Sequence, residues 1–173
     1  MMGMSSPEWS RYMYEHVGLS ASPDEIAADV VRQMQDRYRE RLPLIDGAVQ
    51  AVERLAARWP LGVASSSNRE LIDLVLELSG LGRLFQATVS SEEVERGKPA
   101  PDVYLEACRR LDADPTRSAA IEDSHAGIRS AKAAGMRVVA IPNPTYPPDE
   151  EALAEADVVL ESLADLTPEA VDS

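Results

Sequence analysis

The sequence predicts an α/β fold, with parallel strands joined by crossover helices from about residue 45 to 173 and a helical appendage ahead of them. Three observations predict it. From Pro43 onward short β-type runs alternate with helical segments, the pattern that parallel strands and their crossover helices produce. Ahead of Pro43, apolar residues from Trp9 to Val17 and from Ile26 to Leu42 recur at three- and four-residue spacing, so two amphipathic helices open the chain. Finally, 173 residues with 45% hydrophobic content are enough for the core of about one domain.

Each element has its local reason. Ser22-Pro23-Asp24-Glu25 reads as the start of the second helix, with a hydroxyl cap, a proline in the first turn and acidic residues behind it. A helix from Gly47 to Arg58 runs into the buried-strand candidate Leu61-Gly62-Val63-Ala64, which ends in Ser65-Ser66-Ser67-Asn68. The helix Glu70 to Leu78 leads to a strand at Phe85-Gln86-Ala87-Thr88-Val89. A loop stiffened by Pro99 and Pro101 precedes the helix Val103 to Leu111, and the strand Ser118 to Ile121 stops at Glu122-Asp123. The helix Ala126 to Ala134 closes at Gly135, where a left-handed cap is expected, and Arg137 to Ile141 forms the next strand. Asp157 to Leu160 gives a short edge strand before a frayed tail.

Composition excludes several classes of function. Seventeen Lys and Arg against thirty Asp and Glu give a net charge of −13, and no basic patch offsets it, so neither nucleic acid nor an anionic membrane surface is an expected partner. The longest apolar run, Val138 to Ile141, is far short of the ~20 residues that span a bilayer, and the Met-rich start lacks the regions of a signal peptide. One cysteine, Cys108, rules out an internal disulfide framework and a cysteine-based zinc cluster. A cytoplasmic protein is the expectation.

In an open parallel sheet, ligands bind beyond the carboxyl ends of the strands, and three such places carry suggestive groups. Ser65-Ser66-Ser67-Asn68 sets hydroxyls and backbone N–H groups between a strand end and a helix N-terminus, which is an anion site or a simple serine cap. Gly97-Lys98-Pro99-Ala100-Pro101-Asp102 holds one lysine in a stiffened loop, either a fixed cation for a phosphate or a solvated side chain. Glu122-Asp123-Ser124 places two carboxylates at a strand end, suited to Mg²⁺ shared with a phosphorylated ligand or, more plainly, to an Asp cap beside an exposed Glu. His125 reads as exposed in a helix's first turn, His16 as a surface or packing residue, Cys108 as a buried inert thiol, and Trp9 and Trp59 as packing residues.

With GVASSSN at 62 to 68, GKPAPD at 97 to 102 and IEDSHAGIRSAKAAGM at 121 to 136, the sequence resembles the haloacid dehalogenase-like (HAD) hydrolase superfamily, in its helical-cap branch of small-molecule phosphatases and β-phosphoglucomutase-like proteins. The resemblance implies a Rossmann-like parallel core at 45–173 and a partial helical cap at 1–44. It also implies that Ser65 binds the transferring phosphoryl group with Ser66 beside it, and that Lys98 stabilises a phosphoaspartate. Glu122 and Asp123 surround Mg²⁺ on the same ground, and a small phosphorylated metabolite is the substrate. Phosphoryl transfer spreads negative charge over several oxygens, so donors, a cation and a metal are what a protein must supply.

The family nucleophile lies in an Asp-x-Asp-Gly motif on the first core strand, and this sequence has none. Its one Asp-x-Asp, Asp112-Ala113-Asp114, falls between a helix and Pro115 and reads as a turn and cap. The first core strand is therefore expected to be absent beside the strand ending at Ser65, leaving a gap of ~9–10 Å in the sheet and a chain inactive as given. Met1-Met2-Gly3-Met4 resembles an internal stretch of the cap, an expectation of a start placed too late or a deliberate shortening. Self-association by segment exchange is one way to fill the gap. At the cap positions where mutases place basic residues, the sequence has Ser6 and Met34 with Arg32 nearby, which leans toward a phosphatase. A non-catalytic relative that binds a phosphorylated ligand or a partner is the rival reading. A phosphoreceiver domain fails on order, because Ser65 and Lys98 precede Glu122 and Asp123.

Overall fold

The computed structural model describes residues 6–172, so Met1 to Met4 lie outside the described residues. The chain opens with α1 (Ser6–Tyr12), which continues as a π-helical turn over Met13–Val17 and stops at Gly18, whose φ of 76° is left-handed. Next comes α2 (Pro23–Glu40). It begins where Ser22-Pro23-Asp24-Glu25 predicts a helix start, and Ser22 caps it in a reciprocal box, its hydroxyl taking the Glu25 amide while the Glu25 carboxylate takes the Ser22 amide. Ile26 and Val31 form its buried face.

The remaining elements alternate. They are α3 (Ala48–Ala56), β1 (Leu61–Ser65), α4 (Arg69–Ser79), β2 (Phe85–Ser90), α5 (Asp102–Arg110), β3 (Ala119–Glu122), α6 (His125–Ala133), β4 (Arg137–Ala140), α7 (Glu150–Glu155), β5 (Val158–Val159) and α8 (Pro168–Asp172). All ladders are parallel. They fall into two sheets, β1 with β2 and β3 with β4 and β5, and no ladder joins β1 to β3 among the described residues. Each of those strands thus keeps one edge without a ladder partner, where the sequence leads one to expect a gap.

Side chains nonetheless bind the two sheets into one body. On one face α5 and α6 pack in a single cluster that takes Val89 from β2 together with Ala120 and Val138 from β3 and β4. On the other, Ala51 and Leu55 of α3 meet Val139 of β4, with Leu61 of β1 at the margin. Ile128, Val89, Val103, Val138 and Val139 are wholly buried. Each contributes about 1.5–3 kcal/mol of apolar burial, so the gap interrupts the hydrogen-bonded ladder and leaves the core continuous.

Two expectations need correction. The tail is not frayed: Leu166 is buried, Arg54 donates to the carbonyls of Leu163 and Leu166 at 2.7–3.0 Å, and Arg58 pairs with Asp172 at 2.6 Å. These partners lie more than 100 residues upstream of the tail, so local pattern does not reveal them. The strand before Asp123 runs one residue further than predicted, so that Glu122 is its last member and not part of the following loop. The Asp112 to Asp114 segment is a turn as read, with Asp114 capping Pro115–Arg117 through the Thr116 amide at 2.9 Å. No helix among the described residues is long and apolar enough to cross a membrane.

Asp157 ties β5 to β4 by accepting the Val138 amide at 2.7 Å and the Lys132 ammonium at 3.0 Å. The amide first, and then the ammonium, hold its carboxyl below the usual range. A depressed pKa stabilises the fold above the unfolded value and ceases to do so as pH falls through the folded one. Asp157→Asn is therefore expected to cost about 1 kcal/mol at neutral pH, after allowance for partial exposure, and progressively less below pH ~4. Urea unfolding at pH 7 and pH 3 checks it, and an unchanged midpoint at pH 7 refutes it.

Candidate active site

The carboxyl end of β1 delivers the serine loop. Ser65 Oγ accepts the Ser67 amide at 3.1 Å, and Ser90 at the end of β2 donates to the Ser67 carbonyl at 2.7 Å, so the loop is pinned from both strands. A hydroxyl that accepts one bond retains a proton to donate, which is what a phosphoryl oxygen requires. None of the serines caps α4. Asn68 occupies the cap position, its side chain donates to Glu92 at 2.6 Å and accepts from Ser6 at 2.7 Å, and Glu92 takes the Arg69 amide at 3.0 Å. That part of the helix N-terminus already holds an anion of the protein's own, so a ligand on this loop would meet the hydroxyls.

At the end of β3 the arrangement differs from both plain readings of the sequence. Lys98 is buried, not solvated, and Glu122 is buried, not exposed, with side chains 7% and 6% accessible. They form an ion pair through Lys98 Nζ and Glu122 Oε1. Tyr104, two residues into α5, donates its hydroxyl to the same Oε1 at 2.6 Å, and its ring lies 4.8 Å from the ammonium. The other oxygen, Oε2, takes the Asp123 amide at 3.1 Å, the Ser124 amide at 3.4 Å and the Ser124 hydroxyl at 3.2 Å. Ser124, rather than an aspartate, caps α6 by accepting the Gly127 amide at 3.1 Å. Burial raises the pKa of Glu122, yet the Lys98 charge and the hydrogen bonds from Lys98 and Tyr104 outweigh it and leave the carboxyl below its usual value. Burial and then the Glu122 charge push the Tyr104 phenol well above its own.

The lysine loop is itself braced. Arg96 grips Asp102 with two bonds of 2.9 and 3.1 Å, and Ser130 of α6 donates to the Ala100 carbonyl at 2.6 Å. Asp123 stands apart. It is partly buried, no salt bridge among the described residues neutralises it, and burial followed by the Glu122 charge raises its pKa. A carboxylate so placed favours a cation.

Of the residues singled out from sequence, Lys98, Glu122 and Asp123 are thus brought together. Ser65 ends β1, which ladders with β2 and not with β3 among the described residues, and its hydrogen bond from the Ser67 amide stays within its own loop. Two residues escape a reading by motif. Tyr104 looks like any apolar position of an amphipathic helix, and Gly127 looks like an ordinary helix glycine. A Cβ on Gly127 would lie 1.9 Å from Glu122 Cδ and 2.0 Å from either carboxylate oxygen, so the absence of a side chain is what admits the carboxylate. His125 is exposed and Cys108 buried, as expected.

A crevice of about 420 Å³ opens between α2 and the start of α4, lined by Val31, Arg32, Gln35, Asn68, Arg69 and Glu92. It adjoins the serine loop through Asn68 and does not reach the Lys98 cluster. Arg32 there pairs with Asp29, whereas Ser6 is buried against Asn68.

Residues 2–141 match the family model described as haloacid dehalogenase-like hydrolase. The chain belongs to that family. Among curated relatives, it is 36% identical over 157 residues to the validoxylamine A 7'-phosphate phosphatase of Streptomyces hygroscopicus subsp. limoneus, covering 89% of this chain and 72% of that one. It is 35% identical over 147 residues to hexitol phosphatase B of Escherichia coli K12, covering 84% of this chain and 66% of that one. Among solved structures, CbbY of Rhodobacter sphaeroides in complex with phosphate superposes with a TM-score of 0.79 at 26% identity, over 98% of this chain and 79% of that one. These relatives put the chain in the cap-containing branch of the family, among phosphatases of small phosphorylated metabolites and β-phosphoglucomutase-like folds.

The family implies a divalent cation, and the residues can be tested for it. No group of three or more His, Cys, Asp and Glu is poised around a metal among the described residues. Mg²⁺, however, is commonly held by one or two carboxylates together with waters and a substrate phosphate. Asp123, without a salt-bridge partner among the described residues, fits that role; Glu122 already receives protein donors on both oxygens.

Proposed function

We propose that this chain carries the phosphate-binding and metal-binding half of a Mg²⁺-dependent phosphatase acting on a small phosphorylated metabolite. The observation that carries the reading is the buried Lys98–Glu122 pair set beside the unneutralised Asp123 carboxylate at the end of β3. In this reading Ser65 and Ser66 donate to phosphoryl oxygens, and Lys98 neutralises the charge that accumulates on them. Asp123, with Glu122 behind it, holds the Mg²⁺, which when bound supplies further charge neutralisation. Phosphatase relatives support hydrolysis over a mutase reaction, as does the cap, where Ser6 is buried against Asn68 and Met34 carries no charge.

Phosphoryl transfer through an aspartyl phosphate also needs a nucleophilic carboxylate, and the sequence has no Asp-x-Asp-Gly motif. In this reading one more parallel strand, set between the unpaired edges of β1 and β3, would present such a carboxylate to Ser65, Lys98 and Asp123. The chain alone, given excess Mg²⁺ and p-nitrophenyl phosphate, is therefore expected to release no phosphate above the blank. With an Asp-x-Asp-Gly strand joined ahead of residue 1, turnover is expected, and Asp123→Asn should abolish it. Hydrolysis by the unextended chain would refute the inactivity, and an extended chain that binds Mg²⁺ and phosphate without turnover would favour the non-catalytic alternative.

A further inference from the structure

The geometry points to Tyr104 as a positioning residue: its hydroxyl locks Glu122 onto Lys98, so that Glu122 orients the ammonium and Asp123 is left to meet a cation. What the ammonium is oriented for rests on the phosphatase reading above, while the cluster itself rests only on contacts. Glu122 Oε1 receives two donors, the Lys98 ammonium and the Tyr104 hydroxyl, and Oε2 receives the amides of Asp123 and Ser124 together with the Ser124 hydroxyl. A carboxylate has about four lone-pair sites for acceptance, so this one is saturated from within.

Lys98 is constrained in turn. Its ammonium has three donors, one directed at Glu122 and one at the Tyr104 oxygen at 3.4 Å. One N–H remains for an external oxygen. The Tyr104 ring beside the ammonium limits the directions in which the lysine can swing. Tyr104 itself is held by α5 within the main core cluster, beside Val103 and Ala107. The orientation of a flexible four-carbon side chain is thereby transferred to a rigid aromatic one, and Gly127 supplies the space that this requires.

The chain contains two lysines, Lys98 and Lys132, which makes the idea directly observable by ¹⁵N-lysine NMR of the whole chain. Lys132, with its side chain 34% exposed, serves as an internal reference. In Tyr104→Phe, which keeps the ring and removes the hydroxyl, the Lys98 ammonium protons are expected to exchange with water roughly fivefold faster while Lys132 is unchanged, the size set by losing one typical hydrogen bond. An unchanged Lys98 exchange rate and ¹⁵Nζ shift would overturn the assignment. A general loosening of the fold would speed both lysines, and that result also counts against it.

The unsubstituted chain offers a test that no failure to fold can spoil. The Tyr104 hydroxyl proton is expected to exchange slowly enough to be seen, and rapid exchange would overturn the proposal. Adding Mg²⁺ with inorganic phosphate separates the two layers of argument. A shift of the Lys98 signal supports the orientation toward phosphate, whereas no shift sinks the phosphatase reading and with it the purpose assigned to the cluster, even where the Tyr104→Phe result stands.

Discussion

Glu122→Ala is expected to lower folding stability by about 3–5 kcal/mol, measured by urea unfolding against the unsubstituted chain. The loss comes chiefly from what is left behind. Lys98 is 7% exposed in its side chain and has the Glu122 carboxylate as its one ion-pair partner among the described residues, so removing that carboxylate strands an ammonium in the core. Tyr104 and the Ser124 hydroxyl lose their acceptor in the same step. Replacing both members together, Lys98→Met with Glu122→Leu, should be far milder, because no uncompensated charge remains. A single alanine variant within ~1 kcal/mol of the parent would show that water or another group solvates Lys98, and the buried-pair account would fail.

Gly127→Ala is expected to be nearly as damaging, about 3 kcal/mol or more, although glycine to alanine within a helix ordinarily stabilises by up to ~1 kcal/mol. Glu122 reverses the sign. Its carboxyl carbon would sit 1.9 Å from the new Cβ, and a carboxylate held by Lys98, Tyr104 and Ser124 cannot move aside without breaking those bonds. The effect should vanish when the carboxylate is absent. In a Glu122→Ala background, Gly127→Ala is expected to be neutral or stabilising, a strongly non-additive cycle between two residues in contact. Equal effects in both backgrounds would mean that the helix, and not the carboxylate, rejects the methyl group.

Much of the architecture is legible because its causes are local. The Ser22 capping box, the stop at Gly135 with φ of 79°, and the β-type runs at 61–65, 85–90 and 137–140 each follow from residues within a few positions of one another. The elements that escape are those whose stability is borrowed. Five-residue α8 is too short to hold itself, and it exists because Arg54 on α3 secures the segment leading to it and Arg58, just beyond α3, pairs with its last residue, Asp172. Six-residue α7 likewise carries the local cap of Asp149 but leans on α6 through Arg129 and Glu155.

The candidate site divides along the same line. Sequence alone determined the α/β class and marked the loops at 65–68, 97–102 and 122–124, because strand ends and punctuated loops are one-dimensional signals; the family resemblance then named Ser65, Ser66, Lys98, Glu122 and Asp123 within them. Tertiary structure alone decided that Lys98 and Glu122 form a buried pair, that Tyr104 and Gly127 shape it, and that Asp123 has no ion-pair partner among the described residues. The physical reason is distance along the chain. Glu122 lies 24 residues from Lys98 and 18 from Tyr104, and whether a charged group at such a separation is solvated or desolvated depends on what the fold packs around it.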